Sequence, residues 1–252
     1  VDLFPGRQQI QAAVHDLDPQ MVLFVDHQAE LLIGIDGDGS SSVTLRVLPA
    51  DQLPFDEELA IDLLQFHVWE DGWLEDDRWA RKVDELRRQG LLNAIGISIN
   101  RWEPWNGIRT VRSGLIDAVQ VIYNIFDQNP EDELFPACVE MGVAVIARVP
   151  FDEGSLTGTL TRDTTWPEGD WRNTYFVSEN LHASVERAEA LTAVLPGGMS
   201  LPELALRFIA SNPAVSTTIP GMRKLHHVDA NVAAANAGPL PLSFEIEAGS
   251  LA

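Results

Sequence analysis

Short apolar runs alternate with amphipathic segments over most of the chain. The strand predicted at residues 143–149 is typical of these runs. It lies between Gly142 and Pro150, and its residues 143–147 are apolar on both alternating faces, as in a strand that is buried on both sides. Four further strands are predicted, at residues 63–67, 93–98, 118–124 and 216–219. Because helical patterns separate these strands, the chain is predicted to form a parallel sheet.

The helices between the strands are predicted from apolar residues at helical spacing. Trp79, Val83 and Leu86, for example, share one face of residues 76–89. The other helices are expected at residues 104–112, 131–141, 184–194, 201–211 and 225–235. These segments make five strand-helix units, whereas eight close a TIM-type barrel. The predicted fold class is therefore α/β, a TIM-type (β/α) barrel that is incomplete or atypically closed by the segment before it.

The first 58 residues follow a different pattern. A short helix is predicted at residues 7–16, followed by strands at 21–25, 31–35 and 43–48. The gaps between these strands suit hairpins and are too short for parallel crossovers, so we expect an antiparallel β-meander. The expected domains are an atypical N-terminal segment at 1–58, the barrel portion at 59–240 and a C-terminal tail at 241–252.

Composition narrows the range of partners. The 252 residues include 38 acidic and 17 basic side chains, for a formal net charge of -21, which repels nucleic acids and anionic membranes. Cys138 is the only cysteine, so an internal disulfide and a cysteine-built zinc site are excluded, no metal site is predicted, and Cys138 is expected in the core. No apolar run approaches the roughly 20 residues of a membrane span, so a cytoplasmic location is expected. The chain begins with Val1, which indicates a truncated sequence.

Each predicted strand is followed by polar side chains or by a glycine and an arginine. These residues are His67, Ser98 with Asn100, Gln120 with Asn124, Arg148, and Gly221 with Arg223. Because the carboxyl ends of parallel strands meet at one edge of a barrel, where its chemistry lies, we expect a functional site there. Alternation along the first strand also predicts that Gln65 points the same way as His67.

Five segments resemble consecutive signatures of the aldo-keto reductase family. They are DLLQFHVW at 62–69, AIGIS at 94–98, VQVIYN at 119–124, VPFDEGSLTG at 149–158 and IPGMR at 219–223. Each segment is weak alone, but all occur in the family's order and at its spacing. The resemblance implies an eight-stranded barrel that binds a nicotinamide cofactor, NADP(H), across its carboxyl rim. It also implies an oxidoreductase that acts on small-molecule carbonyl or alcohol substrates.

The resemblance assigns roles at the nicotinamide end. His67 matches the catalytic histidine that orients the substrate carbonyl, and Ser98 and Gln120 match the residues that hold the nicotinamide carboxamide. A hydroxyl and an amide suit that group because it both donates and accepts hydrogen bonds. Ile99 stands where the family often has Asn, with Asn100 as a candidate substitute. Arg148 stands where many members have an aromatic that stacks on the ring, and a guanidinium plane can stack too.

The same resemblance assigns the rest of the cofactor site. The matched residues are Phe151, Gly154, Leu156 and Gly158 in the loop over the pyrophosphate, and Gly221, Met222, Arg223, His227 and Asn231 at the adenosine end. Glycines in such a loop let backbone N–H groups approach phosphate oxygens. Arg223 or Lys224 is expected to pair with the 2'-phosphate.

The family's proton-donating tyrosine, with its supporting lysine and aspartate, cannot be assigned in residues 1–60. The two tyrosines and two lysines of the chain are Tyr123, Tyr175, Lys82 and Lys224. Alternation directs Tyr123 towards the helix layer. Loss of general acid catalysis lowers a rate by about 10²- to 10⁴-fold, so the alternative is a noncatalytic nicotinamide-binding or regulatory module. A hydrolase using Asp152 and Glu153 ranks below both, because adjacent residues rarely face each other across a substrate.

The strand at 63–67 is predicted to lack its usual parallel neighbour. An edge strand of this buried type invites pairing with another strand. We expect either the meander at residues 21–48 or a second copy of the chain, in a homo-oligomer, to cover it.

Overall fold

The computed structural model describes residues 61–100 and 103–240, and the backbone of residues 29–35 and 41–47. The predicted helix at 7–16, the strand at 21–25, the domain boundary at residue 58 and the tail at 241–252 lie outside these ranges and stay predictions. The strands are β1 (Ala29–Ile35), β2 (Ser41–Val47), β3 (Ile61–Trp69), β4 (Leu92–Ile99), β5 (Ala118–Ile122), β6 (Ala144–Arg148) and β7 (Val215–Thr218).

Seven α-helices connect or follow the strands in the described ranges. They are α1 (Arg78–Arg88), α2 (Ile108–Ser113), α3 (Leu134–Met141), α4 (Arg172–Tyr175), α5 (Ser178–Ala193), α6 (Leu201–Ser211) and α7 (Leu225–Asn236). Short 3-10 helices lie at Asp71–Glu75, Asn129–Glu131 and Asp152–Thr157.

Strands β1 and β2 pair in antiparallel fashion, with Leu31 opposite Leu45. This pairing agrees with the antiparallel arrangement expected for these two strands, and the meander as a whole stays a prediction. The two strands form a sheet of their own, separate from the five-stranded sheet that contains β3. The described part of the meander therefore does not extend the sheet at β3.

Strands β3 to β7 form one sheet whose order follows the chain. The pairs β3–β4 and β4–β5 are parallel, with Leu63 opposite Ala94 and Ser98 opposite Gln120. All five residues of β5 are buried, as expected for a strand covered on both faces. The structure thus confirms the predicted parallel sheet with helices between its strands.

The helices bury apolar faces and begin and end at residues that suit helix termini. Trp79, Val83 and Leu86 are buried on α1, as predicted. Ser200 begins α6 by accepting a hydrogen bond from the backbone N–H of Glu203, a capping arrangement that stabilises the helix start. Gly142 ends α3 with a φ of 68°, a conformation in which glycine avoids the steric penalty of a side chain.

Three helices begin three or more residues away from their predicted starts. Helix α3 begins at Leu134, three residues after the predicted residue 131, because a 3-10 helix occupies Asn129–Glu131. Helix α2 begins at Ile108, four residues later than the predicted residue 104, because turns occupy the preceding residues. Gly107 in these turns lies against Ile99, whose Cδ1 would be 2.7 Å from an added Cβ. Helix α5 begins at Ser178, before the predicted residue 184, because the buried Leu181 extends its apolar face by a further turn.

The chain divides into two compact units. One contains the described residues up to Val121 together with Glu131–Val145, and the other contains Ile122–Pro130 and the residues from Ile146 onwards. The first unit includes an aromatic cluster in which the Phe66 and Trp69 rings each lie edge-on to Trp79. The second is built around a cluster of Ile125, Leu156, Ala188, Leu191, Leu201, Leu204, Ala205 and Leu240.

Candidate active site and cofactor-binding residues

A β-bulge at the carboxyl end of β3 positions His67. Phe66 pairs with Ile97 and Trp69 pairs with Ile99, so two residues of β3, His67 and Val68, lie opposite the single residue Ser98. Val68 has a φ of 54°, which is unusual for a β-branched residue. Bulges of this kind commonly redirect a side chain beside an active site. His67 is half-buried, and the bulge places it next to Ser98 across the two strands.

A hydrogen-bond network holds the chain just beyond the bulge. The indole nitrogen of Trp69 donates to the Thr110 hydroxyl over 2.8 Å, and that hydroxyl donates to Asp71 over 2.6 Å. Asn106 donates through its side chain to the carbonyl oxygen of Trp69 over 2.8 Å. Trp69 and Thr110 are fully buried. The end of β3 is therefore fixed to α2 and to the loop before it.

Three polar side chains form a buried chain of hydrogen bonds, which we call the amide chain: Gln65, Gln120 and Ser98. The Nε2 of Gln65 donates to the Oε1 of Gln120 over 3.4 Å, and the Nε2 of Gln120 donates to the Oγ of Ser98 over 3.3 Å. Their exposed fractions are 4%, 5% and 0%, respectively. A ligand can therefore touch Ser98 only after the atoms that cover it have moved.

The two residues after Ser98 differ in exposure. Ile99 is buried and packs against Gly107, whereas Asn100 is exposed. The substitution of Asn100 for the asparagine that the family often has after its serine stays a prediction.

The end of β6 leads into a loop with unusual backbone geometry. Val149, Asp152, Glu153 and Gly154 have φ values of 57°, 45°, 54° and 112°. Such conformations carry strain in residues other than glycine and cluster at ligand sites. Arg148, directly before this loop, is half-buried.

Asp152 anchors this loop from within. Its carboxylate is buried and accepts a hydrogen bond of 2.6 Å from the Ser155 hydroxyl and a longer one of 3.5 Å from the Tyr175 hydroxyl. Glu153, its neighbour in sequence, is half-buried. A carboxylate committed to these two hydroxyls gives no support to a hydrolytic acid-base pair of Asp152 and Glu153.

The predicted pyrophosphate residues play different structural parts. A Cβ at Gly154 would meet no atom within 4 Å, so the backbone is open to a ligand on that side. Gly158 has a φ of 69° and is exposed. Leu156 is buried in the core of the second unit, so only its backbone can reach a ligand, and Phe151 packs at the edge of the same core.

The predicted adenosine residues lie at the start of α7. Gly221, Arg223 and Lys224 are exposed, and Asn231 donates to the carbonyl oxygen of Gly221 over 3.5 Å. The pKa of His227 is lowered by partial burial first, and then by the positive charges of His226, Lys224 and Arg223. The His226 and His227 rings lie 4.4 Å apart between centroids. Four basic or titratable nitrogen side chains thus surround the first turn of this helix.

Neither tyrosine is placed as a free proton donor. Tyr123 is buried, stacks on Phe208 of α6 and accepts a hydrogen bond on its hydroxyl from Asn212 over 3.0 Å. The prediction that Tyr123 faces the helix layer is therefore confirmed. The Tyr175 hydroxyl donates to Asp152, as described above. Of the two lysines, Lys82 pairs with Glu85 on α1 and Lys224 precedes α7.

The described residues contain no group of three or more histidine, cysteine, aspartate or glutamate side chains arranged to hold a metal ion. No helix among them combines the length and the apolar character needed to cross a membrane.

Comparison with known proteins identifies the family. The profile of the aldo/keto reductase family matches residues 57–244. The chain belongs to the aldo/keto reductase family. It is 29% identical over 180 residues to the uncharacterized oxidoreductase YqkF of Bacillus subtilis. The aligned stretch makes up 70% of this chain and 55% of that protein. The chain is also 30% identical over 156 residues to the NADH-specific methylglyoxal reductase of Escherichia coli. That aligned stretch makes up 61% of this chain and 47% of that reductase.

Solved structures are similar to this chain in fold. A holo-form aldo-keto reductase from Bacillus halodurans matches with a TM-score of 0.59 and 29% identity, over 77% of this aldo/keto reductase chain and 59% of the other. The fold of the glycerol dehydrogenase from Gluconobacter oxydans matches with a TM-score of 0.65 and 23% identity, over 88% and 69% of the two chains. The chain spans about half the length of the curated relatives it matches.

The structure brings some predicted site residues together within each unit. In the first unit, the strand register places His67, Ser98 and Gln120 side by side. In the second, the remaining predicted residues divide between the loop after β6 and the start of α7. Sequence reasoning missed the part of Gln65 in the amide chain and the part of Asp152 as the anchor of its loop. Alternation had placed Gln65 on the side of His67, but a partner two strands away leaves no local signal.

Proposed function

We propose that this chain binds NADP(H) and belongs to an oxidoreductase that interconverts small carbonyl compounds and alcohols. The observation that carries the proposal is the basic start of α7, where Arg223 and Lys224 are exposed beside His226 and His227. Positive side chains oppose the dipole at the beginning of a helix, so this arrangement is costly unless an anion binds there. The 2'-phosphate of NADP(H) is such an anion, and Arg and Lys are its usual partners.

The predicted nicotinamide end of the site has hydrogen-bonding groups that suit a carboxamide. Ser98 supplies a hydroxyl and Gln120 an amide, which together can donate to and accept from a carboxamide. Because Ser98 is buried, we expect cofactor binding to include a conformational step that uncovers it. Stopped-flow measurements would then show an observed binding rate that reaches a plateau as cofactor concentration rises.

The loop after β6 fits a pyrophosphate. Gly154 leaves open space where a side chain would stand, so a phosphate can approach its backbone closely. The buried Asp152 and Leu156 hold the rest of the loop to the core of the second unit. We propose that Phe151, Gly154 and Gly158 line the bound pyrophosphate and that Arg148 lies against the nicotinamide ring.

Catalysis by this chain alone is expected to be slow. A bound nicotinamide supplies the hydride, and His67 is proposed to donate a hydrogen bond to the substrate oxygen and so to orient the carbonyl. That oxygen must also gain a proton when the alcohol forms, and neither tyrosine is free to provide it. Loss of a general acid lowers a rate by about 10²- to 10⁴-fold.

The basic start of α7 provides the direct test. NADPH and NADH are titrated separately by fluorescence against the unaltered chain and against Arg223→Ala/Lys224→Ala. We expect the double variant to lose about tenfold or more in affinity for NADPH, since one charge-assisted contact is worth that much, while its affinity for NADH stays unchanged. Arg81→Ala, which removes an exposed arginine on α1, is the control and should alter neither affinity. Failure of the unaltered chain to bind either cofactor would overturn the proposal.

A second function, a noncatalytic cofactor-binding or regulatory module, is favoured by the commitment of both tyrosine hydroxyls to other residues. Turnover of a reactive aldehyde with NADPH distinguishes the two. Binding with measurable, His67-dependent turnover supports the oxidoreductase, whereas binding without turnover supports the module. The cytoplasmic location stays a prediction.

We also infer that further polypeptide pairs with the outer edge of β3. This strand is the first of the five-stranded sheet, and neither β1 nor β2 is hydrogen-bonded to it. An edge strand of this buried type invites pairing. A second copy of the chain is the occupant we propose, and light scattering on the purified chain should then give the mass of a dimer or a larger oligomer. A monomer at all concentrations would contradict this.

A further inference from the structure

Gln65 reaches a strand that is not its neighbour. It lies on β3 opposite Gly96 of β4, and Gly96 lies opposite Ala118 of β5. A Cβ at Gly96 would be 3.2 Å from the Cγ of Gln65 and 3.0 Å from the carbonyl oxygen of Ala118, closer than ordinary van der Waals contact. The missing side chain of Gly96 therefore leaves the space through which Gln65 crosses β4 to reach Gln120.

The amide chain has a direction. Gln65 donates to Gln120, and Gln120 donates to the oxygen of Ser98, so Ser98 is the last acceptor. Each amide presents its nitrogen on one side and its oxygen on the other, so fixing Gln65 fixes the orientation of Gln120 as well. The proton of the Ser98 hydroxyl is then left to be donated onwards, and within the described residues it is donated to no group. Hydrogen bonds in such a series polarise one another, which strengthens Ser98 as a donor.

Glutamine at position 65 gives the fold no stability advantage over an apolar side chain. The Oε1 of Gln65 is buried and has no hydrogen-bond partner within the described part of the chain. A buried acceptor without a donor lowers the stability of a fold, whereas an apolar side chain of similar size does not. Leucine or methionine at position 65 would remove this oxygen but would leave the buried Oε1 of Gln120 without its donor, so stability alone gives no preference for glutamine.

We propose that Gln65 is a positioning residue for the cofactor: by orienting Gln120 across Gly96, it directs the Ser98 hydroxyl to donate to the oxygen of the nicotinamide carboxamide. This inference rests on the proposed function, since it presupposes that the chain binds a nicotinamide cofactor. Gln65 acts through Gln120 and Ser98 and does not itself touch the ligand, because its free amide oxygen is buried.

The test compares two ligands that differ by the nicotinamide. Affinities for NADPH and for 2'-phospho-ADP-ribose, which lacks the nicotinamide ring, are measured for the unaltered chain, Gln65→Leu and Gln65→Met. We expect both variants to lose about tenfold in affinity for NADPH, as for one hydrogen bond to a buried group. Their affinity for 2'-phospho-ADP-ribose should stay unchanged, and their melting temperatures should be close to that of the unaltered chain, because each variant exchanges one unpaired buried oxygen for another.

A double-mutant cycle links the effect to Ser98. In a Ser98→Ala background, Gln65→Met should cause no further loss of NADPH affinity, because the donor that Gln65 directs is already absent. Gln89→Leu, at the exposed residue that follows α1, is the control for loss of a glutamine and should change neither affinity.

The outcomes separate this inference from the function on which it rests. If the unaltered chain binds neither ligand, the proposed function fails. If it binds both, and the position-65 variants weaken both equally or lower the melting temperature together with affinity, Gln65 is a structural residue and the inference is wrong. Unchanged NADPH affinity in Gln65→Leu and Gln65→Met would also overturn it.

Discussion

The side-chain amide of Asn124 donates a hydrogen bond of 3.0 Å to the carbonyl oxygen of Val149. Asn124 follows β5, and Val149 opens the strained loop after β6. The side-chain oxygen of Asn124 also accepts hydrogen bonds from the backbone N–H groups of Phe126 and Asp127, over 2.8 Å and 3.0 Å. One buried amide thus closes its own turn and holds the neighbouring loop at its first residue.

We therefore expect Asn124→Ala to lower the free energy of unfolding by roughly 2 kcal/mol, because three partly buried backbone groups lose a side-chain partner together. Urea denaturation measures the change. Asn173→Ala is the matched control, since Asn173 also donates to a backbone carbonyl, that of Pro167, but is exposed. Equal losses in the two variants would show that the Asn124 contacts contribute no more than a surface hydrogen bond.

The bulge in β3 predicts a stabilising substitution. Val68 is 40% exposed and has a φ of 54°, a conformation that asparagine adopts far more readily than a β-branched residue. Val68→Asn should raise the free energy of unfolding by about 1 kcal/mol. Val139→Asn, at an exposed valine on α3, provides the comparison and should give no gain. A loss of stability in Val68→Asn would contradict the strain assigned to this position.

Cys138 is expected to be chemically inert in the native protein. Burial raises the pKa of its thiol to about 12, so almost no thiolate is present at pH 8. Ellman's reagent should react with it only after denaturant is added. Val139→Cys in a Cys138→Ala background places a thiol at the adjacent exposed position and should react at once. Rapid reaction of native Cys138 would show that α3 opens readily.

The pKa of His227 should report on phosphate binding. In the free chain it is lowered by burial and neighbouring positive charges, so the imidazole is mostly neutral at pH 7. A bound 2'-phosphate favours the charged imidazolium and should raise the pKa, so affinity for 2',5'-ADP should increase as the pH falls through the bound and then the free pKa of His227. NMR titration measures both pKa values.

The controls for this titration are a second histidine and a second ligand. The NMR signals of His182, which is exposed on α5, should be the same with and without 2',5'-ADP. Adenosine 5'-monophosphate lacks the 2'-phosphate and should leave the His227 midpoint in place. A midpoint for His227 that responds equally to the two ligands would place the 2'-phosphate away from this residue.

The spacing of apolar residues predicted the features that depend on residues close together in the chain. The burial of Trp79, Val83 and Leu86 follows from helical spacing, and the burial of Cys138 follows from its position on the apolar face of α3. The turn before α2 was not predicted, because Gly107 is required there by its contact with Ile99, eight residues earlier in the chain. A contact of that kind leaves no trace in the periodicity of either segment.

In the candidate site, too, some features followed from the sequence and others are visible only in the structure. Alternation predicted that Gln65 and His67 point to one side, which holds for a regular strand, but the extra residue at Val68 is defined only by the partner strand β4. Asn124 was expected beside Gln120 at the end of a strand, whereas β5 ends at Ile122 and Asn124 serves the loop after β6.

The sequence by itself determined the order of the strands and helices, the parallel sheet and the types of polar residue at the strand ends, because apolar periodicity and strand-helix alternation are properties of neighbouring residues. The tertiary structure alone decided that Gln65 meets Gln120 across Gly96, that His67 shares a bulge opposite Ser98, and that Asp152 is buried beneath its loop. These relationships depend on strand register and close packing between segments that are distant in the chain, and such contacts are fixed only when the whole sheet forms.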